Sequence, residues 1–284
     1  MQQVKITCDS TCDLTKELYA RCDVDVLPLG ISLGDEARLD GIDITAEELF
    51  EYVAVSGQLP KTAGVSLGQY ADVFGKYAEE GRSVVHINIS SELSVSHQNA
   101  RLAAEDTENV HVVDSRSLSS GSGLLVLLAA EMAQQGCSAE EIADTLNKKK
   151  ELLDASFVLQ TLDFLHKGGR CSGVAAFGAN VLKLRPEIQV VDGKMQVGKK
   201  YRGDAEKSIL AYIRGRLEGR EDVDPDRIFL THSGVSEEIL AKAEALVKEL
   251  HPFREVIITR AGCTISSHCG PGCLGMLFFR KENE

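Results

Sequence analysis

Short apolar runs alternate with amphipathic stretches along the first half of the chain. Residues 4–8, 83–89 and 110–113 are apolar and rich in β-branched side chains, a pattern typical of buried strands. Residues 118–135 form a longer, mostly apolar stretch closed by Gly136, which indicates a buried helix. Strands separated by helices are typical of βαβ units, so this half is predicted to form a mainly parallel sheet.

Three helix starts carry the same local signal. A Ser or Thr precedes a Glu or Gln by three residues in the segments 45–48, 66–69 and 138–141. In such a capping box, each side chain accepts a hydrogen bond from the backbone N–H of the other residue. We therefore predict helices that begin directly after residues 45, 66 and 138.

The second half of the chain has a different pattern. The dipeptide 192–193, Asp-Gly, separates the strand-like runs 187–191 and 194–201, and it is a strong signal for a two-residue hairpin turn. A hairpin mixed with helices predicts an α+β domain with a mixed sheet. The whole chain is thus expected to be an α/β protein of two domains. Residues 1–155 would form the N-terminal α/β domain and residues 156–284 the C-terminal α+β domain.

Composition and charge narrow the possible functions. The 284 residues are 43% apolar and 26% charged, which is enough for a full core. The net charge of −12 repels phosphate backbones, so nucleic acid is not an expected partner. The longest apolar run, residues 124–130, is far shorter than the ~20 residues of a membrane span, and residues 1–5 lack a signal core. We expect no stable membrane insertion and a cytoplasmic protein whose eight cysteines are reduced.

Hydroxyl side chains are concentrated where strands are predicted to end. The segment 90–96 holds four serines in seven positions, directly before a predicted helix. One serine suffices to cap a helix, so the others are spare hydrogen-bond donors. Ligands of parallel sheets collect at these strand ends, near helix N-termini. An anion site that includes Ser94 is one interpretation, and ordinary helix capping is the other.

A second candidate is His268, in the Gly-rich loop 266–272 before the last predicted strand. A histidine there can bind a carboxylate or act as an acid or base. The glycines of the segment 168–170 end a short helix, which leaves Arg170 with an exposed guanidinium for an anion or for a structural ion pair.

Metal and nucleotide cofactors are not expected. The cysteines near His268 do not have the paired C-x-x-C spacing of a zinc site, and buried thiols are the commoner outcome. Neither a Walker loop nor a Rossmann glycine motif is present. An enzyme remains an alternative, as a hydrolase or acyltransferase that uses Ser94 or Cys269 with His268. The missing G-x-S-x-G motif counts against it.

Taken together, the spaced motifs resemble those of the DegV family of bacterial fatty-acid-binding proteins. The resemblance covers essentially the whole chain. The segments that carry it are 6–11 (ITCDST), 59–62 (LPKT), 89–94 (ISSELS), 113–115 (VDS), 161–170 (TLDFLHKGGR), 185–186 (RP) and 268–272 (HCGPG).

The resemblance implies a two-domain protein with a long-chain fatty acid, such as palmitate, stearate or oleate, in a tunnel between the domains. Carried over by position, the carboxylate would be held by Thr62, Ser94 and His268, with Ser96 and Arg170 as additional polar contacts. Family members are acyl carriers that present the carboxylate to a fatty acid kinase, which makes an acyl phosphate for phospholipid synthesis. The resemblance therefore implies no catalysis by the carrier and no cofactor beyond the bound fatty acid.

Other residues extend or depart from the family pattern. Arg202 lies in a basic run of an otherwise acidic protein, and we consider it a candidate for docking the kinase, with a solvated hairpin strand as the alternative. Ala63, Val95 and Cys269 replace the family's usual Ser, Gly and Thr. Because Val95 lacks glycine's freedom at positive φ, the turn before the helix is expected to differ and to narrow the pocket mouth.

Overall fold

The computed structural model describes residues 3–171 and 184–282. Within those residues the chain forms thirteen strands. They are β1 (Val4–Asp9), β2 (Val24–Leu27), β3 (Gly30–Leu33), β4 (Glu36–Leu39), β5 (Lys61–Ala63), β6 (Ser83–Asn88), β7 (Val110–Asp114), β8 (Leu153–Val158), β9 (Leu184–Val191), β10 (Lys194–Arg202), β11 (Val223–His232), β12 (Glu255–Arg260) and β13 (Leu274–Arg280).

Ten α-helices connect these strands in the same described residues. They are α1 (Lys16–Arg21), α2 (Ala46–Ser56), α3 (Leu67–Glu79), α4 (Ser96–Glu105), α5 (Ser119–Gln134), α6 (Ala139–Lys149), α7 (Asp163–Gly168), α8 (Ala205–Leu217), α9 (Glu237–Leu250) and α10 (Cys263–Cys269). The three predicted capping boxes are confirmed at the starts of α2, α3 and α6. In the part of the chain that the structure describes, no helix is long and apolar enough to cross a membrane.

The first half contains the predicted parallel sheet. Its strand order is β2-β1-β6-β7, and every neighbouring pair is parallel. All six residues of β6 are buried, as expected for a central strand covered on both faces. The α/β prediction for this half is confirmed.

The second half is built on a mixed six-stranded sheet with the order β10-β9-β8-β13-β11-β12. Asp192 and Gly193 both have positive φ, 51° and 79°, and they join β9 to β10 as the predicted hairpin. β11 and β12 are parallel, whereas the other neighbouring pairs are antiparallel. The mixed sheet is thus confirmed. The predicted domain division at residue 155 falls within β8 and stays a prediction.

A third, small sheet has the antiparallel order β4-β3-β5. The apolar run at 24–33 does not form one strand, because Pro28 divides it between two sheets. β2 joins the parallel sheet, and β3 becomes the central strand of the small sheet. This small sheet carries part of the candidate site.

The helix α5 connects the two large sheets. Its buried leucines belong to one hydrophobic cluster with Ile6 and Cys8 of the parallel sheet and with Phe229 and Leu277 of the mixed sheet. Burying aliphatic and aromatic side chains of this size contributes about 1.5–3 kcal/mol each. The shared cluster therefore holds the two sheets in a constant relative position.

Candidate functional site

The site is centred on a hydrogen bond between two distant segments. Thr62 Oγ1 and His268 Nε2 are 3.0 Å apart, although the residues are separated by 206 positions in the chain. Thr62 lies on β5, where it pairs with Ile31 of β3. His268 lies in the last turn of α10. The structure thus brings together two of the three residues predicted to hold a carboxylate.

Ser94, the third, belongs to a hydroxyl pair at the start of α4. Ser94 Oγ lies 2.9 Å from Ser96 Oγ and accepts a hydrogen bond from the Ser96 backbone N–H at 3.2 Å. The Ser96 hydroxyl is fully buried and accepts from the Val65 N–H at 3.2 Å. Ser96 therefore lies behind Ser94 and restricts the rotation of its hydroxyl.

The turn at Val95 has an ordinary backbone conformation. Its φ is −73°, within the right-handed region, so a β-branched residue is tolerated here and the freedom of glycine is not required. The Val95 side chain is 59% exposed. The expectation that this substitution narrows the pocket mouth stays a prediction.

These polar groups line a cleft of about 890 Å³. This volume is within the range of small-molecule sites, ~300–1,000 Å³. Thr62, Ser94, His268 and Arg170 all contribute to the lining. The apolar part of the lining comes from both halves of the chain and includes Leu29, Ile89, Leu93, Leu118, Met195 and Ile265. The cleft combines an apolar wall with a polar lining of hydroxyl, imidazole, cationic and acidic side chains, which suits a ligand with a polar head and an apolar body.

Burial keeps the imidazole of His268 neutral. Loss of solvation, and secondarily the charge of Arg170, lower its pKa to about 4. Within the described ranges, its Nδ1 atom has no hydrogen-bond partner. Gly168, the last residue of α7, faces this nitrogen so closely that a Cβ at position 168 would overlap it. An anion in the cleft would stabilise the charged imidazolium, so the ring is able to gain a proton on ligand binding.

Arg170 is exposed at the edge of the cleft. Its Nη1 donates to the Gly168 carbonyl oxygen at 2.7 Å. The guanidinium therefore supplies positive charge near His268 and has further N–H donors for an anion. Arg202, at the end of β10, is exposed and is not among the described residues that line this cleft.

The geometry gives no support to the enzymatic alternative. In the described part of the chain, His268 Nε2 bonds to Thr62 and to neither Ser94 nor Cys269. Cys269 is buried, and its hydrogen bond, together with burial, raises the pKa of the Cys273 thiol. Residues 3–171 and 184–282 contain no group of three or more His, Cys, Asp or Glu side chains placed to hold a metal. Within the described ranges, neither Ser94 nor Cys269 therefore has His268 as an adjacent, oriented base.

Several residues that line the cleft are not among the site residues predicted from the sequence. His97 and Arg101 line its outer part from α4. Their spacing of four residues places them on one face of α4 with Gln98, a signal that could have identified them. The sequence around Gly168 indicates only the end of a helix, because no local pattern reveals its contact with His268.

From the sequence, apolar side chains of the segment 162–182 are candidates for walls of the ligand tunnel, with an ordinary core role as the alternative for most of them. Leu165 is fully buried, and Leu162 packs against the same hydrophobic cluster. The Phe164 ring lies close to Gly270 and makes an edge contact with Phe50, at 6.1 Å between centroids. These three side chains pack in the core, whereas the candidates Phe177, Val181 and Leu182 lie outside the described residues.

Comparison with known proteins identifies the family. Residues 3–281 match the model described as "Uncharacterised protein, DegV family". DegV domain-containing proteins of Clostridium acetobutylicum and Clostridium perfringens are 30% and 31% identical to this chain, and each match covers 99% of this chain and the full length of the relative. The chain therefore belongs to the DegV family.

Solved structures of the same family share the fold. A DegV family protein from Thermus thermophilus, described as fatty acid binding, is 32% identical with a TM-score of 0.87, and the match covers 98% of this chain and all of that one. A stearic acid-binding protein from Eubacterium ventriosum is 26% identical with a TM-score of 0.84, covering 99% of both chains. The α/β fold with its two large sheets is thus that of DegV proteins.

Substitution of Gly168 tests the position of His268. In Gly168→Ala, the new methyl group should displace the imidazole toward the open cleft and break its bond to Thr62. The pKa of His268 should then rise from about 4 toward its ordinary value near 6.5, because the ring regains solvation. Overpacking should also cost about 1–3 kcal/mol of the free energy of unfolding. NMR titration of the protein labelled with ¹⁵N-histidine measures the pKa, and urea denaturation measures the stability.

Gly75→Ala is the matched control. Gly75 lies within α3 with nothing near the position of an added Cβ, so alanine should stabilise the helix by about 1 kcal/mol and leave His268 unchanged. A His268 pKa that stays at about 4 in Gly168→Ala would contradict the described packing.

Proposed function

We propose that this protein binds a long-chain fatty acid, such as palmitate, stearate or oleate, in a tunnel between residues 1–155 and residues 156–284. The carboxylate would be held by Thr62, Ser94 and His268. The observation that carries the proposal is the Thr62–His268 hydrogen bond at a cleft of about 890 Å³ that has an apolar wall. Relatives with the same fold, 26–32% identical over nearly the whole chain, are described as fatty-acid- or lipid-binding, which supports this choice of ligand.

The energetics favour an acyl chain with a polar head. Each buried CH₂ contributes about 0.8 kcal/mol, so a long chain has ample binding energy. A carboxylate removed from water without partners is costly. Two hydroxyl donors and an imidazole, supplied by three separate segments, offset that cost. Arg170 at the rim adds favourable charge, and Ser96 orients the Ser94 hydroxyl.

The same geometry fits a carrier better than an enzyme. Among the described residues, His268 Nε2 is hydrogen-bonded to Thr62 and to neither Ser94 nor Cys269, the nucleophiles of the enzymatic alternative. The headgroup end of the cleft lies beside the exposed Val95, so a carboxylate held there would be near the surface. In this proposal a separate fatty acid kinase in the cytoplasm phosphorylates the presented carboxylate. The protein itself needs no cofactor.

Lipid extraction of the purified protein tests the ligand. Mass spectrometry should find a long-chain fatty acid, and the delipidated protein should bind added oleate.

Thr62→Val and His268→Ala should each weaken oleate binding by about tenfold, the value of one lost hydrogen bond to a charged group. Isothermal titration calorimetry measures the affinities. Thr145→Val, on α6, is the control and should bind as the wild type does. A protein that carries no lipid and ignores oleate would refute the proposal, and a lipid that cannot exchange would favour a structural role for it.

Fatty acid binding should take up protons. A carboxylate beside His268 raises the pKa of the imidazole above its free value of about 4, so the complex holds more protons than its separate components. Affinity should therefore rise as the pH falls from 8 to 6, by less than about tenfold per pH unit. Calorimetry in buffers of different ionisation enthalpy measures the uptake. His268→Gln should abolish it, and equal uptake by that variant would exclude His268 as the group involved.

Charge reversal tests the docking role of Arg202. In Arg202→Glu, turnover by a fatty acid kinase should fall several-fold because an attractive charge becomes repulsive, while oleate affinity stays unchanged. The control is Arg254→Glu, an equal charge change at an exposed residue of the segment between α9 and β12. Unchanged turnover in Arg202→Glu, or an equal loss in both variants, would remove Arg202 from the docking surface.

A further inference from the structure

The helix that carries His268 is anchored at its other end by carboxylates from the first half of the chain. Asp40 Oδ1 accepts from the Cys263 N–H at 2.7 Å, and Asp40 Oδ2 accepts from the Thr264 N–H at 3.1 Å. Asp13 Oδ1 accepts from the Gly262 N–H at 2.8 Å. Three successive N–H groups at the start of α10 are thus satisfied by side chains more than 220 positions away in sequence.

The helix cannot satisfy these groups by itself. Its N-cap residue is Gly262, which has no side chain to accept a hydrogen bond. A Cβ at this position would lie 3.1 Å from Asp40 Oδ1, so the close approach of the carboxylate depends on glycine. The N-terminus of α10 therefore relies on Asp13 and Asp40 to replace the missing cap.

Asp40 and Thr62 are attached to the same small sheet. Asp40 directly follows β4, and its N–H donates to the Leu29 carbonyl oxygen at 2.9 Å. Thr62 lies on β5, across the central strand β3. One rigid element thus contacts α10 at both ends, through Asp40 at Cys263 and through Thr62 at His268. Cys263 and His268 are five positions apart, which corresponds to only ~7.5 Å along the helix at ~1.5 Å per residue.

The Asp40 side chain is itself held in place. It is buried, and its Oδ2 accepts from the Ser10 hydroxyl at 3.1 Å. Beside it, Cys263 packs into the hydrophobic cluster of the small sheet with Ile31, Ile44 and Leu49. Movement of Asp40 would therefore change the position of the first turn of α10, and with it the position of the imidazole at the other end.

We propose that Asp40 is a positioning residue that places His268 in register with Thr62 for carboxylate binding. It acts through α10 and does not itself contact the ligand. This inference rests on the proposed fatty acid function, but the placement of His268 can be measured without any ligand.

A double-mutant cycle with oleate tests whether Asp40 acts through His268. Asp40→Asn keeps one acceptor but turns an amide N–H₂ toward a backbone donor, so binding should weaken by about tenfold. In the His268→Ala background the same substitution should change the affinity by less than about twofold, because the group that it positions is already absent. If the fold-loss of oleate affinity in the double variant equals the product of the losses in Asp40→Asn and His268→Ala, the two residues act independently and the proposal is overturned.

Asp154→Asn is the matched control for general destabilisation. Asp154 is a partly buried acid on β8 of the mixed sheet that pairs with Arg216 and Arg220, away from α10. This variant should be less stable to heat than the wild type and yet bind oleate as the wild type does. If Asp154→Asn weakens binding as much as Asp40→Asn at similar stability, the effect of Asp40 is only structural and the proposal fails.

Ligand-free ¹⁵N-histidine NMR separates this inference from the proposed function. Asp40→Asn should shift the ring resonances of His268 and raise its apparent pKa, whereas Asp154→Asn should leave both unchanged. If the wild type does not bind oleate but these shifts occur, the positioning role stands and the fatty acid function fails. Unchanged His268 resonances in a folded Asp40→Asn overturn the positioning role. If Asp40→Asn does not fold, Ser10→Ala is used instead, because it removes one hydrogen bond from Asp40. Ser10→Ala must then shift the His268 ring resonances by a smaller amount.

Discussion

The candidate site depends on keeping two distant polar side chains, Thr62 and His268, at hydrogen-bond distance beside an apolar surface. Neither side chain can move far to reach the other, because each is attached to a packed secondary-structure element. The small sheet holds Thr62 in its β5 strand, and α10 holds His268 in its last turn. The relative position of these two elements therefore decides whether a polar site exists at all.

Buried polar groups impose a strict requirement on this part of the fold. A donor or acceptor without a partner costs about 1–3 kcal/mol, so each one must be matched as the halves of the chain come together. Asp13 and Asp40 accept hydrogen bonds from the free N–H groups of α10, and the Ser96 hydroxyl accepts one from the Val65 N–H. His268 Nδ1 is one of several buried polar atoms in the described residues that have no hydrogen-bond partner, and Thr264 Oγ1 on the same helix is another. An unsatisfied nitrogen at a ligand cleft is consistent with a ring whose protonation changes on binding.

The fold tolerates wide variation in sequence among relatives. A relative only 32% identical retains the fold with a TM-score of 0.87. The buried positions of β1, β6 and α5 require apolar side chains of suitable size, and many sequences satisfy that requirement. Val95 illustrates tolerance in the site itself, since the turn keeps a right-handed backbone that valine can adopt.

The sequence by itself determined the local elements and most of the candidate residues. The capping boxes, the Asp-Gly hairpin and the parallel strands depend on interactions between near neighbours and on periodicity, which are readable along the chain. The DegV resemblance indicated Thr62, Ser94 and His268, and the structure places all three at one cleft. Only the tertiary structure decided that Thr62 bonds to His268, that Gly168 faces the ring and that Asp40 anchors α10. Those contacts join segments that lie on separate elements, and they arise from how the three sheets pack, which no local pattern encodes.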